Sequence, residues 1–204
     1  MRAIWFDLDG TLLHMERDIG DAIAAAFEDV TGDAPDAWVS AYNEGFLERF
    51  PDCEPEPYRH GARYATETTD FDGGVEALRD ALLRAEVESL VPTPDAADVL
   101  GTLADHEHYR VGVLTNGHPE WQREKLAAHG LDQYVDAVVT SYEVGHHKPH
   151  PSPFERAADR LPADAYGMVG DSDADVDGAA NVGWSATRYE GGALGDVPAA
   201  LGWE

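Results

Sequence analysis

Five short strand-like runs, the first four of them apolar, set among segments of helical period, constrain this chain more than any other feature. They are Ala3-Ile4-Trp5-Phe6, Val111-Gly112-Val113-Leu114, Ala137-Val138-Val139, Tyr166-Gly167-Met168-Val169 and Ser185-Ala186-Thr187-Arg188-Tyr189. Apolar runs of this length, without strict alternation, suit strands buried on both faces. Segments of helical period at 95–106, 119–129, 153–161 and 176–182 precede the later four runs in turn. Strand and helix in strict succession predict an α/β fold, a parallel sheet covered by helices on both sides.

Between the first run and the second the rhythm is helical throughout. Residues 18–31 carry Ile19, Ile23, Phe27 and Val30 on one face, with Asp18 as the N-cap. Helices are also predicted at 36–50, with Trp38, Tyr42, Phe46 and Leu47, and at 58–68 and 74–87. The proline-rich break at 51–57 is a loop. Residues 15–90 therefore read as a helical insert in a domain made of residues 1–14 and 91–204. The Gly- and Ala-rich stretch after Glu190 is expected to pack on the surface.

Composition excludes several classes of function. Forty acidic residues against fourteen Lys and Arg give a formal charge of -26 at pH 7. Such a surface repels nucleic-acid phosphate and anionic membrane, which are bound through clustered Lys and Arg. No apolar stretch approaches the roughly 18 residues of a membrane span, and the acid at Asp7 comes too early for a signal peptide. Cys53 stands alone, which excludes an intrachain disulfide and fits a reducing, cytoplasmic setting. Twelve of the basic residues are arginines and two, Lys125 and Lys148, are lysines. This balance resembles that of proteins from salt-in halophiles, and each of the two lysines is expected to do more than decorate the surface.

Ligands of open parallel sheets bind beyond the carboxyl ends of the strands. The polar residues there are Asp7 and Asp9, Thr115 and Asn116, Lys148 on a later loop, and Asp171, Ser172, Asp173 and Asp175. Acids so crowded repel one another unless a cation sits among them, and hard oxygen ligands suit Mg²⁺. A metal also lets an anionic nucleophile approach a phosphate. Two unit charges about 4 Å apart otherwise repel by ~4 kcal/mol at an effective dielectric of 20.

Phe6-Asp7-Leu8-Asp9-Gly10-Thr11-Leu12 resembles the DxDGT motif of the haloacid dehalogenase-like hydrolases. Thr115 after its strand resembles that family's second motif, Lys148-Pro149 its third, and Gly170-Asp171-Ser172-Asp173-Ala174-Asp175 its fourth, all in the family's order. The resemblance implies a Rossmann-like, doubly wound sheet, with residues 15–90 as a helical type-one cap domain. It implies an Asp7 nucleophile forming an aspartyl-phosphate, Asp9 as general acid and base, and phosphate held by Thr115, Asn116, Gly117 and Lys148. Mg²⁺ would be bound by Asp7, the Asp9 carbonyl and Asp171. Asp175, or in the alternative Asp173, would orient that shell or pair with Lys148.

The activity so implied is Mg²⁺-dependent hydrolysis of a small phosphorylated metabolite, by a monomer or weak homodimer that binds neither nucleic acid nor membrane. The stretch 113–156, with Gln122, Lys125 and Ser141, is similar to a subgroup containing pyrimidine nucleotidases and acylneuraminate 9-phosphatases. Nucleotides, phosphoglycolate and sugar phosphates all remain open as substrates. A 2-haloacid dehalogenase with the same nucleophile is the alternative, although that chemistry needs neither Asp9 nor a metal. A phospho-signalling receiver or a silent phosphate-binding protein is the non-enzymatic one. His146, His147 and His150 lack the fixed spacing of a zinc site. His14-Met15 stands just after the first motif, where the family often has a polar or acidic residue.

Overall fold

The computed structural model describes residues 1–203. In chain order the elements are β1 (Arg2–Phe6), β2 (Leu13–Met15), α1 (Ile19–Thr31), α2 (Asp36–Leu47), α3 (Pro57–Thr68), α4 (Val75–Glu88) and β3 (Leu90–Pro92). They continue with α5 (Ala96–Ala104), β4 (Tyr109–Thr115), α6 (Pro119–Ala128), β5 (Ala137–Thr140), α7 (Pro151–Arg160), β6 (Ala165–Gly170), α8 (Asp173–Asn181), β7 (Ser185–Arg188) and α9 (Val197–Ala200). By backbone proximity the chain divides into two units, residues 1–14 with 91–203 and residues 15–90. Among the described residues no helix is long and apolar enough to cross a membrane.

The first unit is built on a five-stranded parallel sheet in the order β5-β4-β1-β6-β7. Numbering these strands alone from one to five gives 3-2-1-4-5, the doubly wound order, whereas receiver-like sheets run 2-1-3-4-5. Burial explains why β1 lies at the centre. Ala3 and Trp5 pack with Leu114, Val139 and Met168 under Phe154 and Ala157 of α7 and Ala179 of α8. Ile4 and Phe6 alternate to the opposite face and are equally inaccessible. Ala3, Ile4, Trp5 and Phe6 are inaccessible on both faces, and β1 ends one residue before Asp7.

Register then aligns the strand ends. Phe6 lies opposite Val113 of β4 and Val169 of β6, and Thr115 lies opposite Thr140 of β5. Asp7 continues the ladder by donating its N–H to the Val169 carbonyl at 2.9 Å. The residues just past β1, β4 and β6 therefore emerge along one edge.

In the second unit α1 buries Ala22, Ile23, Ala26 and Phe27, and Asp18 caps it by accepting from the Gly20 N–H at 2.8 Å. Phe27, Trp38 and Phe71 form an aromatic triangle with centroids 4.9–5.6 Å apart, and the Trp38 indole N–H donates to Asp70. Three local readings are corrected. Ile19 and Leu47 are exposed rather than on the buried faces of their helices. The break after α2 contains a 3₁₀ turn at Phe50–Asp52. The stretch after Glu190 does more than rest on the surface: it forms α9, and Val197, Leu201 and Trp203 are buried.

Candidate active site

The turn after β1 places its acids by backbone geometry. Gly10 has φ +92°, a left-handed conformation that strains any side chain, and a Cβ there would stand 2.7 Å from Asp171 Oδ2. The glycine thus lets the β1 turn and the Asp171 carboxylate meet. Thr11 Oγ1 donates to Asp171 Oδ1 at 3.2 Å.

Lys148 is the hub of the cluster. Its buried Nζ donates to Asp7 Oδ1 at 2.7 Å, to the Leu114 carbonyl at 2.7 Å and to Asp175 Oδ1 at 2.5 Å. Its backbone is clamped by Asn116, whose amide accepts from the Lys148 N–H at 2.8 Å and donates to the Lys148 carbonyl at 3.2 Å. Burial raises the Asp7 carboxyl to about 7, with Lys148 opposing and Asp175 and Asp9 reinforcing. Burial also disfavours the Lys148 ammonium, but Asp7 and Asp175 outweigh it and hold the group above the ordinary lysine value.

Asp175 is fully buried, and its second oxygen accepts from the N–H and hydroxyl of Ser172. This is a capping box, and it starts α8 at Asp173, three residues earlier than periodicity suggested. Asp173 is exposed and pairs with Arg188. Asp175, rather than Asp173, is thus the acid that enters the cluster.

On the other side, Asp9 is held by α6. Lys125 Nζ donates to its Oδ1 at 2.9 Å, and Gln122 Nε2 donates to its Oδ2 at 2.7 Å and to Thr115 Oγ1 at 2.7 Å. The Gly117 N–H donates to Ser141 Oγ at 3.0 Å rather than pointing unengaged at a ligand. Gln122, Lys125, Ser141 and Thr11 had no assigned roles from sequence. The scarcity of lysine and the three-residue spacing of Gln122 and Lys125 on one helix after Thr115 were the signals available.

Carboxylate oxygens of Asp7, Asp171 and Asp175 lie within 4.8 Å of one another, the one such trio of metal-binding types found among the described residues. With Asp7, Asp9, Asp171 and Asp175 all ionised against Lys125 and Lys148, the group carries two negative charges, which one divalent cation would balance. The donors are all hard oxygens, so the set fits Mg²⁺. Asp175 has both oxygens engaged, which leaves Asp7 and Asp171 as the side chains with oxygen to offer. The histidines form no such group: His146 and His150 stack at 3.9 Å, and His150 Nδ1 accepts from the Ser152 N–H. His14 is hydrogen-bonded with Thr93 at 2.7 Å and stacks on Tyr189.

A doubly wound sheet with a helical insert after its first strand, and acids and lysines gathered at the strand ends, defines a class of hydrolases. The family model for haloacid dehalogenase-like hydrolase matches residues 1–183, and the chain belongs to that family. It is 30% identical to a glyceraldehyde 3-phosphate phosphatase of Pyrococcus abyssi, over 94% of this chain and 82% of that one. The fold superposes on a HAD phosphatase from Thermococcus onnurineus with TM-score 0.70 and 26% identity, covering 100% of this chain and 99% of the other. An L-2-haloacid dehalogenase from Xanthobacter autotrophicus is similar as well, at TM-score 0.64 and 27% identity over 91% of this chain and 76% of that one. The chain is thus an enzyme of the hydrolase class, and the receiver reading falls with its strand order.

Proposed function

We propose that this chain is a Mg²⁺-dependent phosphomonoester hydrolase that acts on a small phosphorylated metabolite through an aspartyl-phosphate on Asp7. The observation that carries the reading is the pairing of a buried Asp7, held by Lys148, with Asp9 two residues on and the open carboxylate of Asp171 beside them. Dehalogenation by an Asp nucleophile needs no second acid and no metal. This site supplies both an acid and an oxygen set for a cation, which favours the phosphatase.

In the first half-reaction an Asp7 oxygen attacks phosphorus while the bond to the leaving oxygen breaks, and Asp9 gives that oxygen a proton. In the second, Asp9 takes a proton from water as the water oxygen attacks the same phosphorus, and Asp7 is regenerated. Lys148 keeps Asp7 in place and offsets charge on the transferring group. Thr115, Asn116 and Gly117 border the phosphate position, and the Gly117 N–H must exchange Ser141 for substrate to serve there. Asp7, Asp171 and the Asp9 carbonyl would hold the Mg²⁺, with Asp175 orienting the set. The ion would supply the positive charge that lets two anions meet.

Residues 15–90 are the cap domain of this reading, and the segment that selects the substrate. The activity for which the Pyrococcus relative is named makes a three-carbon sugar phosphate a first compound to try, beside phosphoglycolate and nucleotides.

The test is hydrolysis of 4-nitrophenyl phosphate and of this panel, with Mg²⁺ or EDTA, by wild type and Asp7→Asn. Turnover that is lost with EDTA and falls at least about a thousandfold in Asp7→Asn is expected. Chloride release from 2-chloropropionate without metal, and no phosphate release, would replace this reading with the dehalogenase.

A further inference from the structure

We propose that Gln122 and Lys125 are positioning residues for proton transfer: together they fix the Asp9 carboxylate by both oxygens, and Gln122 sets the hydroxyl of Thr115 as a donor. The inference rests on the phosphatase reading above and concerns residues to which that reading gives no role.

Three observations support it. First, both side chains are almost wholly buried, Gln122 at 1% and Lys125 at 3% exposure, on a chain whose surface is otherwise crowded with charge. A buried ammonium needs a partner, and Asp9 Oδ1 at 2.9 Å is one. Second, the bonding has a fixed polarity. While Asp9 is ionised, as it must be to take the proton from water, both its oxygens can only accept, so in that state the amide nitrogen of Gln122, not its oxygen, faces Asp9. The two hydrogens of that nitrogen serve Asp9 Oδ2 and Thr115 Oγ1, both at 2.7 Å. A Thr115 oxygen that accepts from Gln122 keeps its own proton to give to a phosphate oxygen. Third, the two residues lie three apart on α6, which starts four residues after β4 ends at Thr115. Neighbours at that spacing share a helix face, so a single rigid element sets the phosphate-binding hydroxyl and the acid together.

Asp9 is then aimed from behind. During phosphoryl transfer the Asp7–phosphorus bond forms, the phosphorus–oxygen bond to the alcohol breaks, and the proton on Asp9 passes to that alcohol oxygen. The carboxylate left behind still has Lys125 and Gln122 to hold it in line for the water step. A group that positions a proton donor matters in proportion to how much the leaving oxygen needs a proton. An alkoxide needs one and a nitrophenolate does not, which gives a readout that general weakening of the site would not produce.

The experiment compares kcat/KM for benzyl phosphate and 4-nitrophenyl phosphate in the full chain with Mg²⁺, for wild type, Asp9→Asn, Gln122→Met, Lys125→Met and Lys125→Arg. General acid catalysis contributes about 10²- to 10⁴-fold. Asp9→Asn is expected to lose activity on benzyl phosphate at least about a hundredfold more than on the nitrophenyl ester. Gln122→Met and Lys125→Met should lose roughly ten- to a hundredfold more on the benzyl ester, and Lys125→Arg should recover part of that loss. Equal losses on both esters in the two Met variants, with the selective loss kept in Asp9→Asn, would overturn the positioning role and leave the phosphatase reading standing. No selective loss in Asp9→Asn would overturn both the acid role of Asp9 and this proposal. Urea unfolding of Asp9→Asn, Lys125→Met and the double variant, without metal or substrate, supplies a second arm. Non-additive midpoints are expected, and additive ones would overturn the proposal even if neither ester is accepted.

Discussion

Lys148 shows how burial turns one side chain into a structural requirement. Its ammonium is out of water and balanced by Asp7, Asp175 and a carbonyl oxygen, so it cannot be removed without leaving two acids facing each other. Lys148→Met is expected to lower stability by about 3–5 kcal/mol, the usual result of breaking a buried pair from one side, as read by urea unfolding in EDTA. Asp7 gives the opposite sign. Its carboxyl is raised by burial to about 7 from 3.8, so the folded state binds its proton more tightly than the unfolded state does. That contribution to stability is complete below about pH 4 and is lost as pH rises through 7. Asp7→Asn should therefore melt above wild type at pH 8 in EDTA, and the gap should close as pH falls toward 4. A gap that widens on acidification would contradict this assignment. Asp7 was legible from the sequence because it is polar where an apolar run must stop, and Lys148 because lysine is nearly absent and Lys148-Pro149 resembles the family's third motif. Their mutual bonding was not, because 141 positions separate them and only strand register brings them together.

At the scale of elements, what sequence could show depended on where the period was carried. Four core strands and the helices between them were legible because each carries an apolar run or a regular period, and β7, whose sequence Ser-Ala-Thr-Arg is mixed, by its place after a helix in the alternation. The start of α8 was not: Ser172 and Asp175 cap it with polar atoms, and an apolar period cannot reveal a turn that contains none of its residues. Lys125 was marked by its rarity, but the burial of Gln122 and Lys125 and their shared partner Asp9 were not legible, because α6 carries polar residues on the face it turns to the site. Ile19 and Leu47 are the reverse case, being apolar residues at helical spacing that nonetheless face outward. Packing between α2 and α3 makes a prediction that runs against intrinsic propensity. Glycine inside a helix ordinarily costs about 0.5–1 kcal/mol relative to alanine. A Cβ on Gly61 would, however, stand 2.8 Å from both a ring carbon and the backbone oxygen of Tyr42. Gly61→Ala should thus destabilise by roughly 1–3 kcal/mol, measured as a lowered thermal midpoint. An unchanged or raised midpoint would show that the two helices can separate freely.

Across the whole molecule the formal charge is -26 at pH 7. Self-repulsion of that size opposes the compact state and is weakened as salt shortens the Debye length from about 10 Å at 0.1 M to about 3 Å at 1 M. The thermal midpoint is expected to climb steadily with KCl over this range, and a flat profile would show that the carboxylates are already compensated locally. The two lysines, Lys125 and Lys148, are both buried at 3% and 5% exposure, so the outer face of the fold presents its side-chain positive charge as guanidinium alone. Amine-directed chemistry therefore finds no lysine to modify while the protein is folded. Acylation of a lysine side chain, unlike that of the α-amine, must wait for the site itself to open. The rate at which Lys125 and Lys148 become acylated then serves as a clock for that opening, with no engineered label and no substrate.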